Sequence, residues 1–214
     1  MAGSELRLLV FARAPEPGRA KTRLIPVLGP EGAANLQGRL IRHALETVTA
    51  AGLGEVELWC TPHASFPFFG ACEKDFGVRL RAQGPGDLGA RMLRASRETL
   101  ARAPAAIVIG TDCPALTADH LVRGAQALAE HDAVLGPAED GGYVLFGLRR
   151  TSPRLFENMD WGTSSVLDAT RERMRVLGWS WSELPPLWDL DRPEDYARLV
   201  RHPSLGHLGA ALTA

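Results

Sequence analysis

Residues 105–115 read Ala-Ala-Ile-Val-Ile-Gly-Thr-Asp-Cys-Pro-Ala, and this stretch indicates the fold class. The run from Ala105 to Gly110 is of strand length and has no polar face, which predicts a strand buried on both sides. Pro114 stops the strand, and Asp112 lies just beyond its end. Open α/β sheets bind their ligands at the carboxyl ends of the parallel strands. Asp112 is therefore a candidate ligand-binding carboxylate, and the alternative is that it caps the following turn.

Segments of strand character and segments of helix character alternate along the chain. Short apolar or alternating runs predict strands, and longer stretches with apolar residues three or four apart predict helices. The predicted strands are 6–11, 55–60, 78–82, 105–110, 133–136, 143–148 and 179–184. The predicted helices are 30–51, a short one within 63–76, 87–103, 117–130, 164–177 and one that begins near Pro193. This order predicts a three-layer α/β/α domain with a mostly parallel sheet.

Length and composition narrow the class of protein. The 214 residues suit one domain, predicted over 1–201, with a tail at 202–214 that has no strong pattern. A formal net charge of −1, with 45% hydrophobic and 23% charged residues, argues against a nucleic-acid or membrane-surface partner. We expect a cytoplasmic protein, because no signal peptide or membrane span is recognisable. The three cysteines lack C-x-x-C spacing, so neither disulfides nor a structural zinc site are expected.

A basic loop follows the first predicted strand. Residues 11–24 read Phe-Ala-Arg-Ala-Pro-Glu-Pro-Gly-Arg-Ala-Lys-Thr-Arg-Leu, with four cations and one acid. The cations are Arg13, Arg19, Lys21 and Arg23. Phosphates bind such charge, although the spacing matches neither a Walker A motif nor G-x-G-x-x-G. Because nearly all basic residues of the chain are arginine, the compact ammonium of Lys21 is a candidate phosphate ligand, against the alternative of a solvated turn.

A second acidic motif, Asp189-Leu190-Asp191, lies shortly before Pro193, which suits the first position of a helix. Asp112 and Asp189 together could hold Mg²⁺ or Mn²⁺ against a pyrophosphate. The alternative is that both acids near Pro193 only cap the helix. We interpret Asp189 as the metal ligand and Asp191 as the cap.

Glu139-Asp-Gly-Gly-Tyr143 separates two apolar strands and is a candidate acceptor site. Asp140 could act as a base towards an acceptor hydroxyl, and the adjacent glycines would allow a ligand close to the backbone. A tight Gly-Gly hairpin explains the same residues. Further along, Trp161 could stack on a sugar ring, although a packing role is the commoner one for tryptophan.

Five motifs in fixed order resemble a known family over about residues 6–196. They are the basic loop, Gly-Asp-Leu-Gly-Ala-Arg-Met at 86–92, Gly-Thr-Asp-Cys-Pro at 110–114, Glu-Asp-Gly-Gly-Tyr at 139–143 and Asp-Leu-Asp-Arg-Pro-Glu-Asp at 189–195. Together they are similar to the bacterial glycosyltransferases called selenodomain-associated or arsenosugar-biosynthesis enzymes. That family belongs to the GT-A nucleotide-diphospho-sugar transferase superfamily. The first and last motifs also resemble phospholactate guanylyltransferase and the molybdopterin nucleotidyltransferases, which share the fold.

The resemblance implies a set of site residues. The implied nucleotide contacts are Ala12, Arg13, Ala14, Arg19, Lys21, Arg23, Gln83, Gly84, Asp87, Leu88 and Asp112. The implied metal ligands are Asp112 and Asp189. The chemistry of the residues themselves adds Gly141, Gly142, Tyr143 and Trp161 as candidate acceptor contacts, and the catalytic candidates are Lys21 and Asp140.

One departure from the pattern leaves the reaction open. Glycosyltransferases of this superfamily commonly carry an Asp-x-Asp triplet, and here Pro114 occupies its third position. Sugar transfer from a nucleoside-diphosphate sugar to a small acceptor is the favoured interpretation. The alternative joins a nucleoside triphosphate to a phosphorylated small molecule and releases pyrophosphate. A silent nucleotide-binding domain is a third hypothesis, which the joint presence of Lys21, Asp112 and Asp189 argues against.

Overall fold

A computed structural model describes residues 6–210 of the chain and contains the elements that the sequence predicts. The strands are β1 Leu6–Arg13, β2 Gly54–Thr61, β3 Arg79–Ala82, β4 Ala105–Ile109, β5 Ala133–Pro137, β6 Tyr143–Leu148 and β7 Trp181–Glu183. The α-helices are α1 Ile25–Ala51, α2 Pro67–Phe76, α3 Leu88–Leu100, α4 Ala118–Glu130, α5 Val166–Val176 and α6 Pro193–Arg201. Most of the predicted ends differ from these by one to three residues.

The strands form one sheet in the order β3-β2-β1-β4-β6-β5-β7. β6 is antiparallel to β4 and to β5, and the other strand pairs run parallel. A parallel connection needs a long crossover, whereas β5 and β6 are joined by a turn in which the Ala138 amide donates to the Gly142 carbonyl at 3.0 Å. The prediction of a mostly parallel sheet is confirmed, with β6 as the exception that this short turn imposes.

Helices cover both faces of the sheet. Side chains of a strand alternate between its faces, so Leu8 and Val10 of β1 face one core cluster while Leu9 faces the other. The first cluster also holds buried residues of α1, α2 and α4, and the second holds buried residues of α3 and α5. This arrangement is the predicted three-layer architecture.

A third cluster positions the segment that contains Asp189 and Asp191. The chain kinks at Gly29, where φ is 68°, so the second part of α1 begins at Pro30 as the sequence predicts. Leu24 and Leu28 before the kink pack in the same buried cluster as Trp188 and Leu190. The end of the basic loop and the late acidic segment are therefore neighbours, although they lie far apart in sequence.

The described part of the predicted tail packs against this cluster. Leu208 is buried in it, and the Tyr196 hydroxyl donates to the Gly209 carbonyl at 3.0 Å. Arg39 of α1 donates to the carbonyls of Leu208 and Ala210 at 3.2 and 2.6 Å. Residues 211–214 lie outside the described part of the chain.

The predicted cap of the last helix is wrong. Arg192, not Asp191, is the first boundary residue of α6, and the Asp195 carboxylate accepts from the backbone amides of Arg192 and Asp191 at 2.8 and 3.1 Å. Asp191 instead forms an ion pair with Arg23. Among residues 6–210, none of the helices combines the length and the apolar character needed to cross a membrane.

Candidate functional site

A cleft of about 710 Å³ opens at the carboxyl ends of β1, β2, β3 and β4. This is the edge of the sheet at which Asp112 was expected to meet a ligand. Residues from the ends of these strands, from the basic loop and from the start of α3 form its walls. They include Ala12, Arg13, Arg19, Lys21, Arg23, Gln37, Thr61, Gln83, Asp87, Leu88, Arg91, Thr111, Asp112 and Asp191.

Lys21 and Asp112 form an ion pair inside this cleft. The Lys21 Nζ lies 2.9 Å from the Asp112 Oδ1, and it also donates to the Leu190 carbonyl. The Lys21 side chain is only 4% exposed, whereas that of Asp112 is 53% exposed. The ammonium is thus fixed between the basic loop and the late acidic segment, and the Asp112 carboxylate remains open to a ligand.

The segments that carry Asp112 and Asp189 are adjacent, with Asp112 in the first cleft and Asp189 not among the residues that line that cleft. The Leu190 amide donates to the Asp112 carbonyl at 2.7 Å, which joins the two segments directly. Burial raises the pKa of Asp189 to about 6, with further contributions from the negative charges of Asp140 and Asp112. A nearby cation stabilises the ionised form of a carboxyl group that lies close to other carboxylates.

The donor set fits a divalent cation that is bound jointly by protein and ligand. Within residues 6–210, no group of three or more His, Cys, Asp or Glu side chains is arranged to hold a metal ion. Mg²⁺ characteristically takes only one or two carboxylates and completes its shell with phosphate oxygens and water. Asp112 and Asp189 supply two carboxylates, the number that Mg²⁺ commonly takes from a protein when a phosphate ligand completes its shell.

The raised pKa of Asp189 gives a pH-dependent prediction for the protein without metal. Between its ordinary pKa of 3.8 and about 6, the folded state holds a proton that the unfolded state releases. Asp189 therefore contributes its full share to the free energy of unfolding below pH 3.8, and this contribution is lost as the pH rises through about 6. With a chelator present, Asp189→Asn should melt at a higher temperature than the wild type near pH 7.5, and the difference should shrink near pH 4.

Asp119→Asn is the control for that experiment, because Asp119 is exposed on α4 and lines neither cleft described here. Thermal unfolding of the three proteins at both pH values gives the comparison. An Asp189→Asn variant that is no more stable than the wild type near pH 7.5 would contradict the crowding of carboxylates at this position.

The arginines of the basic loop differ in their partners. Arg23 pairs with Asp191, and Arg19 lies 3.6 Å from a carboxylate oxygen of Glu16. Arg13 is exposed at the end of β1 and has no carboxylate partner within residues 6–210. All three line the cleft, as the sequence predicts.

The opposite end of the cleft lies beside β3 and α3. Gln83 is buried, and its Nε2 donates to the Trp59 and Ala12 carbonyls at 2.8 and 3.3 Å, so its amide holds the strand ends together. Asp87 caps α3 by accepting from the Ala90 amide at 2.8 Å. Leu88 is 43% exposed and lines the cleft.

Two residues implied as nucleotide contacts lie outside the walls of this cleft. A side chain at Gly84 would collide with the Arg94 guanidinium, which packs against this turn. The Ala14 amide donates to the Thr61 carbonyl at 2.8 Å, and Ala14 lines a smaller neighbouring cavity instead.

The sequence reasoning assigned no role to Gln37 and Arg91, and both line the cleft. The buried Gln37 donates to the Thr111 hydroxyl at 3.2 Å, and that hydroxyl lies 3.5 Å from the Asp112 Oδ1. Gln37 thereby supports the segment that carries Asp112. The sequence feature that could have indicated Gln37 is a polar residue beside Leu36 on the apolar face of α1. For Arg91, the feature is its place in the motif at 86–92.

A second cleft of about 520 Å³ adjoins the first, and Arg23 and Asp191 line both. Its walls are rich in carboxylates. They include Glu139, Asp140, Thr163, Ser164, Asp189, Asp191, Arg192, Glu194 and Asp195. The two clefts and the ion pair between them could accommodate two ligands side by side.

The motif at 139–143 forms the hairpin turn that was the alternative interpretation. The Asp140 Oδ1 accepts from the Gly142 amide at 2.8 Å, and Asp140 is exposed to the second cleft. Gly141 has a φ of 90°, and a side chain there would collide with the backbone of Ser164. The packing of the turn on the loop before α5 therefore requires a glycine here.

Tyr143 and Trp161, two implied acceptor contacts, pack against the second core cluster. The Tyr143 ring lies 5.2 Å from that of Phe146, and burial raises the pKa of its hydroxyl. A side chain at Gly89 would collide with the Trp161 indole, so α3 and this indole are in close contact. Neither residue lines either of the two clefts.

Cys113 follows Asp112 but does not behave as a nucleophile. The residue is only 9% exposed, and burial raises the pKa of its thiol to about 12. A thiol with that pKa is protonated at neutral pH, and the thiolate is the reactive form.

Solved structures place this architecture in a known class. A Desulfovibrio desulfuricans G20 protein described as a "putative nucleotide-diphospho-sugar transferase" matches with a TM-score of 0.83 and 29% identity, over 94% of this chain and 90% of that chain. A Methanothermobacter nucleotidyl transferase matches with a TM-score of 0.61 and 17% identity, over 96% of this chain and 98% of that chain. The chain therefore has the GT-A-like α/β fold of the nucleotide-diphospho-sugar transferases.

The chain belongs to the family described as an uncharacterized protein conserved in bacteria (DUF2064), whose model matches residues 44–163, more than half of the sequence. No curated protein sequence matches the chain. Mycobacterium tuberculosis glucosyl-3-phosphoglycerate synthase, solved with Mn²⁺, UDP and glucosyl-3-phosphoglycerate, shares the fold at 10% identity, with a TM-score of 0.56 over 92% of this chain and 76% of that chain. Glycosyl and nucleotidyl transferases both occur among these structures, which support a transferase of either kind.

Proposed function

We propose that this protein is a metal-dependent glycosyltransferase that moves a sugar from a nucleoside-diphosphate sugar to a small acceptor. The observation that carries the proposal is the Lys21–Asp112 ion pair with Asp189 beside it, at the carboxyl edge of the sheet. A departing diphosphate is stabilised by cationic side chains and by carboxylate-held metal ions, and this arrangement offers the residues for both. The resemblance to the selenodomain-associated glycosyltransferases supports the same reaction.

The nucleotide would lie in the first cleft. Its base and ribose would contact Asp87 and Leu88 near α3, and its diphosphate would lie near Lys21 and the loop arginines. Asp112 and Asp189 would hold Mg²⁺ or Mn²⁺, which when bound supplies charge stabilisation to the departing diphosphate. Lys21, as a fixed donor in a partly closed site, would add to that stabilisation without reorganising.

The acceptor would lie in the second cleft. Asp140 is the proposed base for the acceptor hydroxyl, since its carboxylate is exposed there. Backbone contacts near Gly142 belong to the same proposal. Tyr143 and Trp161 are left out of it, because both pack against the core.

Nucleotidyl transfer is the second candidate. The observation that favours it is the pairing of a single mid-chain carboxylate, Asp112, with a late one, Asp189, in place of an Asp-x-Asp triplet. In this reaction the loop arginines and Lys21 would bind the terminal phosphates of a nucleoside triphosphate.

The two reactions are distinguished by their leaving groups. We expect incubation with Mn²⁺, a nucleoside-diphosphate sugar and a panel of hydroxylated acceptors to release a nucleoside diphosphate, detectable by phosphorus NMR. The control is the same mixture with Asp112→Asn protein. Release of pyrophosphate from a nucleoside triphosphate and a phosphorylated acceptor, with no diphosphate released from any sugar donor, would reverse the assignment.

A further inference from the structure

Arg91 lies where two strands end and carries a charge that the protein does not neutralise. It belongs to α3, across the cleft from the basic loop, and is partly buried. Its Nη1 reaches the Thr61 hydroxyl only at 3.5 Å, and its Nε is buried without a hydrogen-bond partner. Within residues 6–210, Arg91 has no carboxylate partner, and a buried N–H group such as its Nε ordinarily has a hydrogen-bond acceptor.

Arg13 approaches the same place from the other side. It is paired with Thr61 in the register of β1 and β2, so its Cα lies beside that of Thr61. Arg13 and Arg91 line a small cavity of about 170 Å³ together with Arg19 and Glu16. Since Glu16 is paired with Arg19, two guanidinium groups face this space without a counter-charge from the described residues.

We propose that Arg91 and Arg13 form an oxyanion subsite, which binds a phosphate or carboxylate group of a ligand. The inference rests on the nucleotide cleft of the proposed function and adds a residue outside the basic loop. Two like charges beside one cavity repel each other, and an anion between them removes that cost. The planar, multidentate guanidinium is also the side chain best suited to phosphate and carboxylate oxygens.

The position of the subsite indicates that its anion is distinct from the diphosphate that we propose near Lys21 and Asp112. Thr61 ends β2 and Asp112 follows β4, and both strands are neighbours of β1. Neighbouring strands are about 5 Å apart, so these two points are separated by about 10 Å. The anion is therefore a group other than the diphosphate near Lys21, carried by the same nucleotide or by a second molecule.

Calorimetry with pyrophosphate and with a nucleoside as separate probes tests the subsite. Arg91→Gln keeps a donor towards Thr61 and loses the charge, so it should bind pyrophosphate at least about tenfold more weakly and the nucleoside equally well. Arg91→Lys keeps a charge and should lose less affinity than Arg91→Gln. Arg97→Ala, an exposed arginine on the same helix, should match the wild type.

The outcomes separate the subsite from the proposed reaction. Three results would each overturn the subsite. In the first, the wild type and Arg91→Gln bind pyrophosphate with equal affinity. In the second, the wild type does not bind it, and in the third, Arg91→Gln loses equal affinity for pyrophosphate and for the nucleoside. If the wild type transfers a sugar but Arg91→Gln binds pyrophosphate as tightly as the wild type, the proposed function holds and the subsite does not. If Arg91→Gln binds pyrophosphate more weakly but the wild type forms no transfer product, the subsite holds and the proposed function does not.

Inorganic phosphate identifies the source of the anion. We would titrate phosphate into protein saturated with a nucleoside diphosphate and Mn²⁺. Binding that persists, and that Arg91→Gln weakens, assigns the subsite to a second molecule. Displacement of phosphate by the nucleotide, again sensitive to Arg91→Gln, assigns it to the nucleotide itself. Phosphate binding that is insensitive to Arg91→Gln would overturn the proposal.

Discussion

Replacing Asp112 with Asn should remove Mn²⁺-dependent nucleotide binding while the protein remains folded. Asn keeps an oxygen that can accept from Lys21, so the buried ammonium retains a hydrogen bond. It removes the charge that a divalent cation requires, and hard cations prefer carboxylate oxygens. We expect the affinity for a nucleoside diphosphate with Mn²⁺ to fall by about 100-fold, measured by calorimetry, because a metal-bridged contact exceeds a single charged hydrogen bond.

Asp119→Asn controls for the loss of one negative charge, because Asp119 lies on α4 away from the cleft. The melting temperature of each variant shows whether the fold is retained. Unchanged nucleotide affinity of Asp112→Asn in the presence of Mn²⁺ would contradict the assignment of Asp112 as a metal ligand.

Replacing Lys21 with Met should weaken ligands that carry a diphosphate far more than the corresponding nucleoside. Met is of similar length and leaves the left-handed backbone at this position, with φ near 46°, no more strained than Lys does. The lost contact is charge-assisted and is worth roughly 1.5–3 kcal/mol, which corresponds to about 10- to 150-fold in affinity.

Lys74→Met is the matched control, since Lys74 is the other lysine of the sequence and lies exposed on α2. Calorimetry of both variants with a nucleoside and its diphosphate gives the comparison. An equal loss for the two ligands would indicate that the loop has changed shape, and the phosphate role of Lys21 would have to be abandoned.

The fold and the main cleft could be predicted because their signals are local. The buried run before Asp112 and the alternation of strands and helices are properties of short stretches, and the rule that ligands bind at carboxyl ends then places Asp112. The ion pair of Asp112 with Lys21 was not predictable in this way. It depends on Leu190, which the third core cluster brings to the loop from the far end of the sequence.

The cap of α6 was predicted wrongly because two neighbouring carboxylates compete for the same backbone amides. Asp191 and Asp195 were both available to cap α6, and the ion pair of Asp191 with Arg23 leaves the cap to Asp195. Arg91 belongs to the motif at 86–92, but the motif does not show that its charge lacks a partner. The structure places Arg91 beside Thr61 and in the same small cavity as Arg13, and only this placement reveals that its charge has no carboxylate partner among the described residues.

The most direct test of a metal-dependent nucleotide site is the melting temperature of the wild-type protein with candidate ligands. The ligands are UDP-, GDP- and dTDP-sugars and nucleoside triphosphates, each with and without Mn²⁺. A ligand at about 100 times its Kd adds about 2.7 kcal/mol, which for a chain of this size corresponds to a rise of roughly 5–10 °C. We expect at least one nucleoside-diphosphate sugar to give such a rise with Mn²⁺, and a much smaller rise without it or with Asp112→Asn. No rise with any nucleotide, or a rise that neither Mn²⁺ nor Asp112 affects, would contradict the metal-dependent nucleotide site.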